Sequence, residues 1–339
     1  MGYIMLITQE ELYMTKKTSC IFISFILLLA TVSGCLSSNP VESPADTPAI
    51  SSAPSPTSVT PSSAAPTESD SPIDNYAGMS NDELRTLVEN RYDVKVFWNA
   101  EVDYPGHIAP LEDEELIRKF LIMLDEQLAL YPTGFFARFR ELKFTVTFLP
   151  TSYVPSYVID EEAGGIVQFM DNGHVYIALN ASYWSDDWPS LMTYAGCPYI
   201  IYGLHHEIGH AIQTYIVNWA KGLSFNYRTW QNLLPPKYKY YDALDYDKRM
   251  TLPLTEFGAP YLDENQKGVW FCDYYAQASL DEHMASLFAY AMCPTQPEEW
   301  KSSRVQAQTD SLYVLIRQVF GTDSWPEKTH WERVAENAR

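Results

Sequence analysis

Basic residues and paired cysteines are scarce in this sequence. The 339 residues contain 23 Lys and Arg against 43 Asp and Glu, a formal net charge of −20. This imbalance argues against duplex DNA or RNA as a partner, because phosphate binding needs clustered basic side chains. The five cysteines form no C-x-x-C pair, which excludes a zinc ribbon or a thioredoxin-type motif. Charged residues make up only 19% of the chain and hydrophobic residues 46%, which is too apolar for a disordered protein.

An apolar run near the N-terminus is typical of an export signal. It extends from Cys20 to Val32 behind two lysines, and its 13 residues are too few to span a bilayer comfortably. The run ends in the sequence VSGC at Cys35, which resembles the lipobox of bacterial-type lipoproteins. That resemblance implies a signal peptide over residues 1–35 and a lipid on Cys35, which becomes the mature N-terminus. The alternatives left open are a start at Met1 or at Met14, and a buried helix with a chance cysteine.

The segment after the lipobox is rich in Ser, Thr and Pro. Between Ser37 and Pro72, 23 of 36 residues are of these three types and none is aromatic. Such a composition cannot bury enough apolar surface to offset the entropy of ordering, so we predict a disordered tether over residues 36–74. The remaining residues, 75–339, are acidic, rich in aromatic residues and predicted to be one domain. We expect this domain outside the cytoplasm, as a monomer held clear of the membrane by its lipid anchor.

Hydrophobic patterns and turn signals along residues 75–339 predict an α+β fold. Ser80 and Glu83 form a capping-box pattern at the start of a helix. The turn Asp171-Asn172-Gly173 predicts a hairpin between two short strands. The predicted helices cover about 80–89, 111–130, 199–221, 280–292 and 297–320, and the predicted strands cover 92–98, 144–148, 165–170 and 174–180.

The sequence His206-Glu207-Ile208-Gly209-His210 is an H-E-x-x-H motif inside the predicted helix 199–221. Residues i and i+4 share one face of a helix, so both imidazoles can reach a single Zn²⁺ ion. Glu207 lies beside the open coordination position, from which it can take a proton from the zinc-bound water and pass it to the leaving amine. The helix is apolar and predicted to be central, and two histidines in a buried helix need partners. These features favour a zinc site over two surface histidines.

A catalytic zinc site usually has three protein ligands, so a third must come from outside the motif. A third histidine in the longer pattern H-E-x-x-H-x-x-G-x-x-H is excluded, because Gln213 and Ile216 occupy the Gly and His positions. Glu282 opens a later predicted helix, and the small Ala285 follows it by one turn on the same face. A small residue there would let the two helices approach closely enough for Glu282 to reach the metal. Gly209 likewise lets the motif helix pack closely beneath the site.

The motif helix followed by Glu282 and Ala285 resembles the gluzincin metallopeptidases, in which H-E-x-x-H on one helix is completed by E-x-x-A on a later one. It is particularly similar to the anthrax-lethal-factor-like clan and to zinc-binding lipoprotein peptidases of similar build. Those proteins carry a segment of the form S-x-Y-A-x-T-N-P-x-E-D-x-A-E. Residues 273–286 (DYYAQASLDEHMAS) align with it without gaps at the Tyr-Ala, the Glu and the Ala. Residues 230–240 also resemble a family segment, so the similarity covers roughly 75–320.

The resemblance implies a zincin-like α+β fold. In that fold a small mixed sheet, with a hairpin edge strand, packs on the H-E-x-x-H helix and is followed by a helical C-terminal part. The resemblance makes His206, His210 and Glu282 the zinc ligands and Glu207 the general base. It also implies that Tyr275 directs its hydroxyl at the site and stabilises the oxyanion, with Tyr274 as the alternative.

Three residues depart from the family pattern. Ser286 replaces the acidic residue that normally bonds a ligand histidine and fixes its tautomer. Either another carboxylate, Asp273 or Asp281, takes that role, or zinc binds less tightly. Ser279-Leu280 replaces the Asn-Pro pair before the helix.

Other histidines and cysteines leave alternatives open. His283, next to the Glu ligand, is an alternative metal ligand, whereas His205 points about 100° away from the first motif histidine and is expected to be a bystander. One disulfide among Cys197, Cys272 and Cys293 is compatible with an exported domain, with one thiol left over. A Cys272–Cys293 pair would flank the later helix, but the pairing stays open.

We expect a membrane-anchored, extracytoplasmic zinc metallopeptidase that hydrolyses peptide bonds through a Glu-activated, zinc-bound water. Its substrate would be a peptide or protein, paired in extended form with an edge strand expected at His174–Asn180. The alternative is a non-catalytic surface protein of the same fold with a structural zinc, which Ser286 keeps open. A third interpretation, a metal-free solute binder, requires the motif to be accidental.

Overall fold

The structure is a computed structural model in which the chain divides into two units, Met1–Ser63 and Ala64–Arg339, and all described residues lie in the second. The described residues are 76–98, 109–154, 164–170, 172–181, 193–194, 197–218, 225–236, 238, 240, 262–263, 268–273 and 275–338. The predicted signal peptide (1–35), the tether (36–74), Cys35 and Tyr274 lie outside them. None of the helices in the described ranges is long and apolar enough to cross a membrane.

Within the described residues, five strands form a small mixed sheet. They are β1 (Lys95–Val96), β2 (Ala109–Pro110), β3 (Thr145–Tyr153), β4 (Gly165–Phe169) and β5 (His174–Asn180). β3 pairs in parallel with β1 on one side and with β5 on the other, and β4 pairs antiparallel with β5. β2 pairs antiparallel with the end of β3. Two short ladders join β6 (Thr193–Tyr194) to β7 (Cys197–Pro198) and β8 (Leu262–Asp263) to β9 (Gly268–Val269).

The predicted hairpin is confirmed, but its edge strand is not the one expected. Gly165 of β4 stands opposite Leu179 of β5, and Gly173 in the turn has φ 85°, a conformation that favours glycine. β5 lies between β3 and β4, so the expectation that His174–Asn180 forms the edge is wrong and β4 is the edge strand. β5 is buried at every position after His174, as is typical of an internal strand with a parallel partner.

Eight α-helices accompany the small mixed sheet in the described part of the chain, a mixed α/β content that is compatible with the predicted α+β class. They are α1 (Asn81–Tyr92), α2 (Glu114–Leu128), α3 (Ala137–Arg140), α4 (Tyr199–Asn218), α5 (Tyr227–Gln231), α6 (Leu280–Met292), α7 (Ser303–Phe320) and α8 (His330–Asn337). Two 3-10 turns, Tyr275–Gln277 and Glu298–Lys301, precede α6 and α7. All five predicted helices occur, but α7 begins at Ser303 and not near residue 297. The predicted end of the motif helix, 219–221, lies outside the described residues.

Two elements differ from the sequence prediction. The capping box at Ser80 starts α1 as expected, but the helix continues through Tyr92 into the segment predicted as a strand. Only Lys95 and Val96 of that segment pair with β3. The sequence prediction lacks α8, although this helix begins with a capping box of the same kind as α1, formed by Thr329 and Glu332.

The motif helix α4 packs against both the sheet and α6. Its apolar side chains share one core with the inward-facing residues of β3 and β5 and with α6. This part of the core contains Ile200, Leu204, Ile208, Ile212, Val146, Phe148, Val175, Ile177, Leu287 and Phe288. The prediction of a central, apolar motif helix is therefore confirmed.

His205 is a structural residue that fastens α4 to the end of α2. Its ring is fully buried, with Nδ1 2.9 Å from the Tyr131 hydroxyl and Nε2 3.1 Å from Gln127 Oε1. Since a carboxamide oxygen can only accept, Nε2 carries the proton and Nδ1 accepts from Tyr131. Burial lowers the pKa of His205 to about 3, so the ring is neutral at neutral pH.

α4 and α6 are antiparallel and touch through two of their smallest residues. A Cβ added to Gly209 would lie 2.8 Å from Ala285 Cα and 3.2 Å from Ala285 O. Only glycine fits at this position without displacement of the α6 backbone. The contact brings Glu282, one turn before Ala285, level with the motif histidines.

We expect Gly209→Ala to destabilise the protein by about 1–3 kcal/mol, because the added methyl group would collide with the α6 backbone. Gly203→Ala in the same helix is the matched control, since a Cβ there meets nothing within 4 Å. That control should be unchanged or more stable by up to about 1 kcal/mol, the usual gain from replacing a helical glycine. Urea unfolding measures both variants, and equal stabilities would contradict the close helix contact.

Candidate metal centre

The three side chains predicted as metal ligands converge between α4 and α6. His206 and His210 project from one face of α4, and Glu282 projects from the first turn of α6. The Nε2 atoms of His206 and His210 lie 3.0 and 3.3 Å from the same atom, Glu282 Oε2. The ligand atoms of all three residues lie within 4.8 Å of one another. This cluster is a candidate metal site.

The spacing of the cluster suits a tetrahedral ion. Ligand atoms at about 2.0–2.1 Å from a tetrahedral centre lie roughly 3.3 Å from each other. The two distances to Glu282 Oε2 are close to this value, and two imidazoles with one carboxylate are a common ligand set of zinc sites with an open position. Hydrogen bonds have the same lengths, so the geometry fits a metal without requiring one.

The electrostatics of the cluster favour a positive charge beside Glu282. Burial opposes the ionised form of Glu282, yet the charge of His210 and hydrogen bonds from both histidines hold its pKa well below the usual range. Burial likewise opposes the charged form of His210, but Glu282 outweighs it and raises the pKa of His210 to about 9. The largely buried carboxylate is thus stabilised by a nearby cation, which can be a proton or a metal ion.

Glu207 lies next to the ligands and against the edge strand. It is 8% exposed, and burial raises its pKa, an effect that the charges of His210 and His206 partly offset. Gly165, the first residue of β4, makes room for this side chain. A Cβ at Gly165 would lie 2.8 Å from Glu207 Cγ and 3.0 Å from Glu207 Oε1. A carboxylate with a raised pKa is suited to take up and release a proton near neutral pH.

Tyr275 lies beside the first motif histidine. It opens the 3-10 turn Tyr275–Gln277, and its half-buried ring has its centroid 5.8 Å from that of His206. Asp273 holds this turn, since its Oδ1 accepts from the backbone N–H of Ala276 at 2.7 Å. The structure therefore brings Tyr275 to the cluster for which the sequence predicts it.

Tyr202 belongs to the site but is absent from the sequence prediction. Its ring stacks on His206 with 5.7 Å between the centroids. Its hydroxyl lies 3.5 Å from Asp273 Oδ2 and 3.4 Å from Ser286 Oγ, so it connects a candidate ligand to the polar groups behind it. Tyr202 precedes His206 by one helical turn, and this spacing is the signal that identifies it.

The surroundings of His206 distinguish the two aspartates considered as substitutes for an acid at position 286. Ser286 is fully buried, and His206 Nδ1 is buried without a hydrogen-bond partner among the described residues. Asp273 is buried, and burial raises its pKa, an effect that the charge of the nearby His206 partly offsets. Asp281 is exposed, lies on the side of His210 and accepts a 2.6 Å hydrogen bond from a glutamine of α4. The structure favours Asp273 as the carboxylate on the His206 side.

His283 is a structural residue, so its assignment as an alternative metal ligand is wrong. Its Nδ1 lies 2.8 Å from the Tyr240 hydroxyl and its Nε2 lies 3.1 Å from Gln308 Oε1. The Tyr240 oxygen accepts from Trp230 Nε1 at 2.9 Å, which leaves its own proton for Nδ1 of His283. The Gln308 amide nitrogen donates to two backbone carbonyls at 2.9 Å each, so its oxygen accepts from Nε2. Burial lowers the pKa of His283 to about 3, and the ring is neutral.

Cys197, Cys272 and Cys293 are buried free thiols, and no disulfide joins cysteines within the described ranges. Cys272 precedes α6 and Cys293 is its C-cap residue, so these two cysteines flank the later helix as considered from the sequence, but they are not joined. Of the three cysteines, Cys197 lies nearest in sequence to the start of α4, two residues before Tyr199.

Comparison with models of known protein families and with curated protein sequences found no match to this chain. The interpretation of the cluster therefore depends on its motif and on its own geometry.

Proposed function

We propose that this chain is a zincin-like metallopeptidase that hydrolyses peptide bonds with zinc held by His206, His210 and Glu282. The observation that carries the proposal is the convergence of these three side chains from two helices. The motif alone would align two histidines on α4, whereas the third side chain reaches them only through the tertiary contact with α6. The carboxylate of Glu207, the residue next to the first ligand, lies in the same cluster.

Two imidazole nitrogens and a carboxylate oxygen form a ligand set that zinc accepts in tetrahedral sites with one position open. When bound there, zinc would polarise a peptide carbonyl and lower the pKa of a water molecule from about 15.7 to near 7.

The other residues of the cluster have separate roles. Glu207, with its raised pKa, accepts the proton of the attacking water and passes it to the leaving amine. Tyr275, beside His206, donates a hydrogen bond from its hydroxyl to the oxyanion of the tetrahedral intermediate. Gly165 leaves space in front of Glu207, because any larger residue there would displace the carboxylate.

An extended peptide is the substrate that the edge strand suits. β4 lies at the edge of the sheet, and its first residue, Gly165, contacts the Glu207 side chain. A peptide paired with β4 would gain main-chain hydrogen bonds whatever its sequence, and its backbone would pass the proton acceptor. The excess of 43 acidic over 23 basic residues adds a long-range preference for basic or neutral substrates.

The sequence patterns before the domain support a location outside the cytoplasm. A lipid on Cys35 would anchor the chain, and residues 36–74 would separate the domain from the membrane. A fully extended tether of this length spans at most roughly 140 Å. In this proposal a monomeric peptidase acts on peptides or proteins near the membrane surface.

A non-catalytic zinc-binding surface protein is the second candidate. It is favoured by the surroundings of His206, whose buried Nδ1 has no partner among the described residues while Ser286 replaces an acid. Loss of such a partner typically costs 10- to 100-fold in metal affinity or activity. Both candidates bind zinc, and only the first hydrolyses peptides.

Glu207→Gln should keep one zinc per chain but abolish peptide hydrolysis, because the amide keeps the shape of the side chain and cannot accept the proton. Glu282→Gln should lower zinc content as well as activity, since it removes the charge of a ligand. Glu112→Gln, at an exposed position outside the site, is the control. Metal analysis gives the zinc content, and casein or a fluorogenic peptide mixture with a chelator control gives hydrolysis. Full activity of Glu207→Gln would exclude the mechanism, and zinc without hydrolysis in the unmodified protein would select the second candidate.

Tyr275→Phe should lower kcat by about 10²- to 10³-fold with little change in KM, because it removes a donor that acts only on the transition state. Zinc content should not change. Tyr274→Phe is the matched control and should retain activity. If Tyr274→Phe lost activity and Tyr275→Phe retained it, the oxyanion role would belong to Tyr274. Full activity of both variants would exclude both tyrosines from the mechanism.

Asp273→Asn should weaken zinc binding by about 10- to 100-fold, because it removes the buried charge on the His206 side. Asparagine can still accept the hydrogen bond from Ala276, so the turn that carries Tyr275 is retained. Competition with a chromophoric chelator measures the affinity. Asp281→Asn is the comparison. If this variant lowered zinc affinity more than Asp273→Asn, the carboxylate that orients a ligand histidine would be Asp281, beside His210.

A further inference from the structure

Two cysteines mark adjoining ends of the antiparallel helices α4 and α6. Cys197 lies in β7, two residues before α4 begins at Tyr199, and Cys293 is the C-cap residue of α6. The start of α4 and the end of α6 meet, as the rings of Tyr202 and Tyr290 have centroids only 5.1 Å apart. Both cysteines are fully buried at this junction.

The side chains of Cys197 and Cys293 interact with each other at this junction. The Cys293 thiol donates a hydrogen bond to Cys197, and this bond together with burial raises the pKa of Cys293. A disulfide would bring these two sulfur atoms from hydrogen-bonding distance to the S–S bond length of about 2.05 Å. Cys272 has different surroundings, since burial and the charge of the adjacent Asp273 raise its pKa.

We infer that Cys197 and Cys293 form a disulfide when the domain folds in an oxidising environment, and that Cys272 remains a thiol. The bond would join the start of the H-E-x-x-H helix to the end of the Glu282 helix. It would therefore link covalently the two helices that carry the candidate ligands. It would also close a loop of about 100 residues, which restricts the unfolded chain strongly.

A low-molecular-weight disulfide such as oxidised glutathione is a sufficient oxidant. The thiolate of one cysteine attacks it, which forms a mixed disulfide and releases one glutathione. The second cysteine then attacks the protein sulfur of the mixed disulfide, which forms the Cys197–Cys293 bond and releases the second glutathione. The two cysteine protons end on two glutathione thiols, and the two electrons reduce the glutathione disulfide. Because both thiols are buried, the reaction occurs during folding or local opening of the domain.

The test uses the full chain, reduced and unfolded, then refolded with a mixture of oxidised and reduced glutathione. Alkylation in denaturant, digestion and mass spectrometry then show which of the five cysteines are free thiols and which are linked. We expect a linked peptide pair that contains Cys197 and Cys293, lighter by two hydrogens than the reduced pair, together with an alkylated Cys272. The melting temperature of the oxidised protein should exceed that of the reduced protein by several degrees.

Two variants separate this bond from other effects of oxidation. Cys272→Ala should form the same linked pair and show the same shift of the melting temperature. Cys197→Ala should show no shift, although its reduced form folds like the reduced unmodified protein. Alkylation of both Cys197 and Cys293 after oxidative refolding would overturn the inference, as would a link from either of them to a different cysteine.

Discussion

The close contact of α4 and α6 at Gly209 and Ala285 is the constraint on which the candidate site depends. A glutamate side chain is short, so Glu282 reaches the Nε2 atoms of both motif histidines only if the helices approach at the small end of the usual 8–10 Å range. Because a Cβ on Gly209 would lie 2.8 Å from Ala285 Cα, a larger residue there would push the carboxylate away from the histidines. The small size of the residues at positions 209 and 285 thus decides whether three side chains that are far apart in the sequence can bind one ion.

The rotation of each helix about its axis is fixed by a buried histidine next to a candidate ligand. His205 precedes His206, and His283 follows Glu282. Each ring is held on both nitrogens, by a tyrosine hydroxyl at Nδ1 and by a glutamine oxygen at Nε2. Neighbouring residues point about 100° apart on a helix. Hydrogen bonds that fix the direction of the buried histidine therefore also fix the direction of the residue beside it. These neutral histidines therefore aim the ligands although they do not bind a metal themselves.

Local patterns in the sequence predicted the local structure well. The capping box at Ser80, the hairpin turn 171–173 and the bounds of α6 all follow from residues close together in the chain. The convergence of Glu282 on the motif was also predictable, because Ala285 marks the contact face of its helix. The edge position of β4 was not predictable in this way, since it depends on the parallel pairing of β3 with β5, two segments with no local turn between them.

Side-chain networks around the site were predicted least. The bonds of His283 come from Tyr240 and Gln308, on segments that no periodic pattern relates to α6. The sequence left Asp273 and Asp281 as equal candidates, and only the fold separates a buried carboxylate beside His206 from an exposed one beside His210. Patterns of polarity identify faces of helices, whereas these contacts depend on how three or more elements pack together.

The buried charges around α4 and α6 are compatible with the divalent ion of the proposed function. Glu207, Asp273 and Glu282 bring three carboxylates into a largely buried region, and in the described ranges no Lys or Arg forms an ion pair with any of them. Burial raises the pKa of Glu207 and Asp273, so their ionised forms need compensation. A proton on His210 Nε2 compensates the negative charge of Glu282, but it occupies the nitrogen that would bind a metal. Under the proposed function, a divalent ion would supply two positive charges at that point and leave both imidazoles neutral, which would balance this buried charge.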